Sequence, residues 1–108
     1  MSASSPCGLV FAAVALVAAT SGAAAETIRI HVENLAFSPA EVSAHVGDTI
    51  EWVSSDFVDH TATARNKSWD VTIPANGSGR VDLTEAGTVE YYCRFHPNMV
   101  GHISVADK

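Results

Sequence analysis

"AGTVEYYCRFHPNMVGHISV", Ala86 to Val105, sets two alternating patterns on either side of a short loop that carries sulfur and imidazole. Before the loop, Val89, Tyr91 and Cys93 fall on every second residue, and after it Ile103 and Val105 do the same. Successive side chains of a strand point to opposite faces, so apolar residues at period two line one side. The stretch reads as a strand, a loop spanning Cys93 to Met99, and a second strand.

The same period recurs upstream. Ile28, Ile30 and Val32 alternate with Thr27, Arg29 and His31, and Val42, Ala44 and Val46 alternate with Ser43 and His45. Gly47-Asp48 marks a turn into Thr49 to Ser54, where Ile50 and Trp52 share a face. Asn76-Gly77 precedes a strand from Ser78 to Leu83, and Glu85-Ala86-Gly87 is the next turn. From Glu26 onward there are ten Val, five Ile and seven Thr against only two leucines, Leu35 and Leu83. Such usage favours strands over helices. The expected fold is all-β, a Greek-key sandwich or small barrel of about seven or eight strands.

The first 25 residues differ in kind. They carry no charged side chain, run apolar from Leu9 to Ala19, and end in Ala23-Ala24-Ala25. A short apolar run followed by small residues reads as a signal peptide at 1–25, cleaved after Ala25 and placing the protein in the periplasm. The remaining 26–108 suffice for one small domain. All six Lys/Arg and all twelve Asp/Glu lie there, a net charge of 6 − 12 = −6 that disfavours nucleic acid and anionic membrane surfaces. With Cys7 removed, Cys93 has no partner for an intramolecular disulfide.

In the loop, Cys93, His96 and Met99 stand at intervals of three, with Pro97 between the last two. Taken singly, a cysteine is usually an inert buried group, a methionine near a strand is core, and a histidine is a surface residue. Together, the one Cys and one Met of the exported part bracket a histidine. A thiolate, an imidazole and a weak thioether suit copper, whose electron-transfer sites combine two His and a Cys in a plane with a long axial Met. Of the other histidines, His31, His45 and His102 alternate with apolar residues and read as surface. His60 closes the connection after the Thr49 to Ser54 strand and is the expected second imidazole. Trp52 is assigned to the core.

"CRFHPNM" resembles the C-x2-H-x2-M ligand loop of the blue copper proteins, the cupredoxin family, and is most similar to its amicyanin branch in its short spacing and in the proline after the histidine. "NLAFSPAEVSAHVGDTIEWVSSD" followed by "HTATA" resembles the family's F-x-P and G-D-x-I-x-W phrases with an upstream histidine. "AGTVEYYC" is similar to its run into the cysteine, with Val89 in place of a tyrosine. Thr61 stands after His60 where several branches have asparagine. The resemblance implies one copper ion held by His60, Cys93, His96 and Met99. It also implies an exported, non-enzymatic, monomeric shuttle for single electrons, with redox proteins as partners, among them a dehydrogenase donor and a c-type cytochrome acceptor. An alternative with the same ligands is a periplasmic copper carrier or resistance protein. A cysteine hydrolase built on Cys93 and His96 is opposed by the lack of a recognisable orienting partner or oxyanion loop.

Overall fold

A computed structural model describes residues 24–108. Apart from Ala24 and Ala25, the expected signal peptide lies outside the described residues. Nine strands follow one another: β1 (Thr27–Glu33), β2 (Ala36–Ser38), β3 (Glu41–His45), β4 (Thr49–Ser54), β5 (His60–Ala64), β6 (Asp70–Ile73), β7 (Ser78–Asp82), β8 (Gly87–Tyr92) and β9 (Val100–Ala106). They form a four-stranded sheet ordered β2-β1-β4-β7 and a five-stranded sheet ordered β3-β9-β8-β5-β6. The β1–β4 and β3–β9 pairs are parallel and the rest antiparallel. The all-β sandwich is as the residue pattern predicts. The strand count exceeds the expected seven or eight because β2, β5 and β6 lack a legible alternation.

The alternation elsewhere is that of side chains sent inward. Ile30 and Val32 of β1, Ile50 and Trp52 of β4, Val89 and Tyr91 of β8, and Ile103 and Val105 of β9 are all buried. Register makes the two patterns coincide: Ile30 lies opposite Trp52, and Val89 opposite Ile103. All sixteen buried apolar residues among the described ones fall between Ile30 and Val105.

At the centre sits an aromatic cluster. The ring of Tyr91 lies 4.8 Å from Phe37, 5.4 Å from Trp52 and 5.7 Å from Trp69, centroid to centroid. The Trp52 indole N–H donates to the Tyr91 hydroxyl at 3.2 Å, which satisfies both buried polar tips. Burial pushes the Tyr91 phenol up to about 12 against a smaller opposing effect of that hydrogen bond, so it stays neutral. Trp52 is core, as expected. Trp69 is half-buried on the flank of the same cluster.

Asn34 and Leu35 join β1 to β2 with φ of 55° and 58°. Two successive left-handed residues make the tight hairpin turn that follows the twist of the strands, yet leucine is a poor occupant of that conformation. External hydrogen bonds compensate. They come from the loop that also carries the candidate metal ligands.

Candidate metal centre

Three loops meet where β4 and β8 end. The first is the 34–35 turn, the second the connection 55–59 between β4 and β5, and the third the segment from Cys93 to Met99 between β8 and β9. The third is closed by its own backbone: the Cys93 N–H donates to the Met99 carbonyl at 3.1 Å, His96 N–H to Cys93 O at 3.2 Å, and Met99 N–H to His96 O at 2.8 Å. Pro97 stiffens the bend without removing any of these donors. The loop therefore presents its side chains from a preformed ring.

His60 is the first residue of β5 and is fully buried, as is Cys93. The Cys93 Sγ lies 3.7 Å from the His60 Nδ1 and 3.7 Å from the His96 Nδ1. The ligating atoms of all three residues fall within 4.8 Å of one another. For a first-row ion, metal–nitrogen and metal–sulfur bonds of about 2.0–2.1 and 2.3 Å at a trigonal angle separate N from S by about 3.8 Å. The observed spacing thus fits one ion, with a donor set of one thiolate and two imidazoles that suits copper.

Met99 is buried at 3 % exposure and its main chain is bonded to both Cys93 and His96. His31 and His45 are exposed on their strands, and His102 pairs with Glu90 at 3.1 Å. None of these three joins the cluster.

Two groups orient the donors: Asp56, which the sequence reading passed over, and Thr61, which it noted after His60. Asp56 accepts from the Asn34 N–H at 2.8 Å and the Leu35 N–H at 3.1 Å, and its Oδ2 lies 2.8 Å from the His60 Nε2. Burial pushes the Asp56 carboxyl upward, but the hydrogen bonds from Leu35, His60 and Asn34 outweigh it and hold the group below the usual carboxylate range. An ionised carboxylate only accepts. Nε2 of His60 therefore carries the proton, and Nδ1 keeps its lone pair turned toward Cys93. The same carboxylate anchors the left-handed turn. The one hint in the sequence is a carboxylate four residues before a histidine, a spacing too common to single out.

Thr61 is the second group. Its N–H donates to the Cys93 Sγ at 3.4 Å, and its Oγ1 accepts from the Arg94 N–H at 2.9 Å while contacting the Thr63 Oγ1 at 2.9 Å. Fully buried Thr61 thus fastens the ligand loop to β5 on both sides of the sulfur. Threonine serves here as a clamp between strand and loop.

Removing the Asp56 carboxylate has two separable consequences. Asp56→Ala is expected to weaken copper binding by about 10- to 100-fold, measured by competition with a chelator. In the metal-free protein the amides of Asn34 and Leu35 should lose protection from hydrogen exchange. Unchanged values of both would remove Asp56 from the site.

A buried cysteine sulfur flanked by two imidazole nitrogens, at one pole of a two-sheet sandwich, is the donor set of a blue copper protein. The chain belongs to the cupredoxin family: the family model described as a cupredoxin-like domain matches residues 7–105. Among solved structures, a Cu(I) methionine-to-alanine variant of amicyanin aligns with a TM-score of 0.65 at 22 % identity, covering 73 % of this chain and 81 % of that one. A reduced proline-to-phenylalanine variant of amicyanin aligns at 0.64 with 25 % identity and the same coverage. A purple cupredoxin from Nitrosopumilus maritimus aligns at 0.66 with 23 % identity, covering 73 % of this chain and 99 % of that one. Members of this family bind one copper ion, and the cluster at His60, Cys93 and His96 is suited to it.

Proposed function

We propose that the protein is an exported type 1 copper protein that carries single electrons between redox partners in the periplasm, with His60, Cys93, His96 and Met99 as ligands. The observation that carries this reading is the fully buried Cys93 sulfur equidistant, at 3.7 Å, from two imidazole nitrogens on separate chain segments. Copper held there supplies one-electron chemistry by alternating between Cu(I) and Cu(II). The protein contributes a fixed array. Asp56 sets the tautomer of His60, Thr61 holds the Cys93 loop, and the loop's own hydrogen bonds fix His96 and Met99, so a bound ion would meet donors already held in place. Met99, buried beside this loop, would supply the weakest of the four donors. With all four positions supplied by the chain, substrate chemistry at the ion has no place, which favours transfer over catalysis.

The surface around the site supports redox proteins as partners. The exposed large apolar residues among the described ones are Leu35, Phe57, Val58 and Phe95, and all four lie on the three ligand-end loops. Phe95, exposed Pro97 and half-buried Val100 flank His96, and the 34–35 turn and the 55–59 connection add Leu35, Phe57 and Val58 at the same end. Apolar cover beside a half-buried His96 favours brief, close approach to a partner's own redox centre. A dehydrogenase as donor and a c-type cytochrome as acceptor are the partner classes assigned. Residues 1–25 are assigned as the leader removed on export, leaving a monomeric 26–108 domain with no stable hold on the membrane.

Addition of Cu(II) to the purified protein tests this reading. An intense visible thiolate-to-copper band with small copper hyperfine splitting is expected, together with reversible one-electron voltammetry. A colourless adduct that surrenders its metal rapidly to a chelator would instead indicate copper delivery. Met99→Gln should keep the colour while lowering the reduction potential, because the axial ligand tunes the site and does not hold it. A potential unchanged by that substitution would remove Met99 from the ligand set.

A further inference from the structure

The opposite end of β1 holds a second arrangement of buried charge. Asp48 follows Gly47 in the turn between β3 and β4 and is only 5 % exposed. Its Oδ1 accepts from the Glu26 N–H at 2.9 Å and its Oδ2 from the His45 N–H at 2.9 Å. Those two bonds hold the carboxyl below the usual carboxylate range, the Glu26 contact contributing most, against the upward push of burial. Glu26 is fixed on its other side too, since its carbonyl accepts from the Thr49 N–H at 2.8 Å. The nitrogen of Glu26 therefore cannot drift from the carboxylate without breaking the start of the β1–β4 pairing.

Among the described residues the carboxylate has no Lys or Arg within ion-pair distance. The nearest ionisable partner is the exposed His45 ring, whose Nδ1 lies 3.9 Å from Oδ2. A buried carboxylate is poorly served by neutral donors alone when a cation could stand in the same place. The nitrogen already in contact belongs to the residue after Ala24-Ala25, both exposed. That is the junction assigned to leader removal.

We propose that cleavage of the Ala25–Glu26 bond converts this amide nitrogen into an α-ammonium seated on Asp48, so that processing completes an ion pair that fixes β1 against β4. The inference rests on the export reading above. Hydrolysis adds water across the amide: the Ala25 carbonyl carbon gains the hydroxyl and leaves as the carboxylate of the released leader, and the Glu26 nitrogen takes up protons to become –NH3+. A leader peptidase supplies the catalysis. The hydrogen bond to Oδ1 persists through the change but becomes charged at both ends, the stronger class of such bonds. Ala24 and Ala25 are exposed and lie outside the buried core.

The pH dependence has a defined sign. A free α-amine titrates at about 7.7–8.0, and Asp48 favours its charged form, so the folded value lies higher. The stabilisation is then fully present below the free value and disappears as pH rises through the folded one. His45, Asp82, Asp107 and Lys108 also face this end of the sandwich, as does the Glu26 side chain. They are present whether or not two alanines precede Glu26, and so drop out of a comparison between the two chains.

The test compares the domain beginning at Glu26, released with a native terminus from a cleavable fusion, with the same domain beginning at Ala24. Unfolding midpoints are followed from neutral to alkaline pH, and the Glu26 α-amine is titrated by NMR with 15N label at that residue. The chain beginning at Glu26 should melt higher at neutral pH, lose that advantage in alkali, and show an amine titrating above the free value. Asp48→Asn should abolish the difference. Should that variant fail to fold, N-acetylation of the Glu26 chain must lower its midpoint to that of the longer chain. Coincident curves for the two chains, or an amine titrating at the free value, would overturn the ion pair. Separately, the intact mass of the exported protein must begin at Glu26. Another starting residue overturns the processing assignment whatever the prepared chains show.

Discussion

Cys93→Ala is expected to remove the intense visible band from the copper-treated protein entirely, while circular dichroism still reports a folded sandwich. The band needs a thiolate bonded to the ion, and Cys93 is the one thiol in the described chain. Its sulfur is fully buried, receives the Thr61 N–H, and stands at equal distance from both imidazole nitrogens. No other thiol among the described residues can take its place, and copper affinity should fall by more than the roughly 10- to 100-fold typical of losing an outer partner. The fold should tolerate the change, because cysteine here behaves toward its neighbours as a small apolar group. A variant that kept the band would refute the ligand assignment. His60→Ala and His31→Ala, measured beside it, separate a buried donor 3.7 Å from the sulfur from an exposed strand residue. Only the first should alter the spectrum.

The strands that were legible are those with one face in the core and one in water. In β1, β4, β8 and β9 every second residue is apolar because every second side chain is buried. β5 escapes this rule. Its HTATA sequence is buried at four of five positions, since the ligand loop covers the face that would otherwise meet solvent. Where both faces are covered, alternation vanishes and short polar residues fill the outer positions. β2 is three residues long and has too few positions to show a period. The cluster of His60, Cys93 and His96 could be read from spacing and residue type because metal chemistry restricts which side chains serve. Asp56 could not, because its role comes from the meeting of its own connection with a turn more than twenty residues away. A carboxylate suits many loops, and only the tertiary contact shows which histidine it faces. Asp59 is exposed but accepts the Ala75 N–H at 2.9 Å, so it also helps to bind neighbouring turns.

Gly101→Ala should be a strongly destabilising single-methyl change in the sandwich. Gly101 lies directly across from Tyr91 in the β8–β9 pairing, and the phenol ring folds over it. A Cβ there would press into the Cζ, Cε1 and hydroxyl of that ring. The ring has nowhere to go. Phe37, Trp52 and Trp69 surround it, and the Trp52 N–H holds its hydroxyl in place. The strain must therefore pass into the backbone of β8 and β9, the two strands that carry Cys93 and Met99 to the site. Overpacking a tight core costs about 1–3 kcal/mol, and this site belongs at the upper end because the obstacle is a pinned aromatic ring. For a domain of this size, about 3 kcal/mol lowers the melting temperature by roughly 12–24 °C. The copper spectrum should broaden as well, since the loop's anchor strands no longer meet at a single spacing. Tyr91→Leu in the same chain should recover part of the loss by opening room for the methyl. Absence of such recovery, or a melting temperature unchanged in Gly101→Ala, would show that the ring is free to move and that the loop does not depend on it.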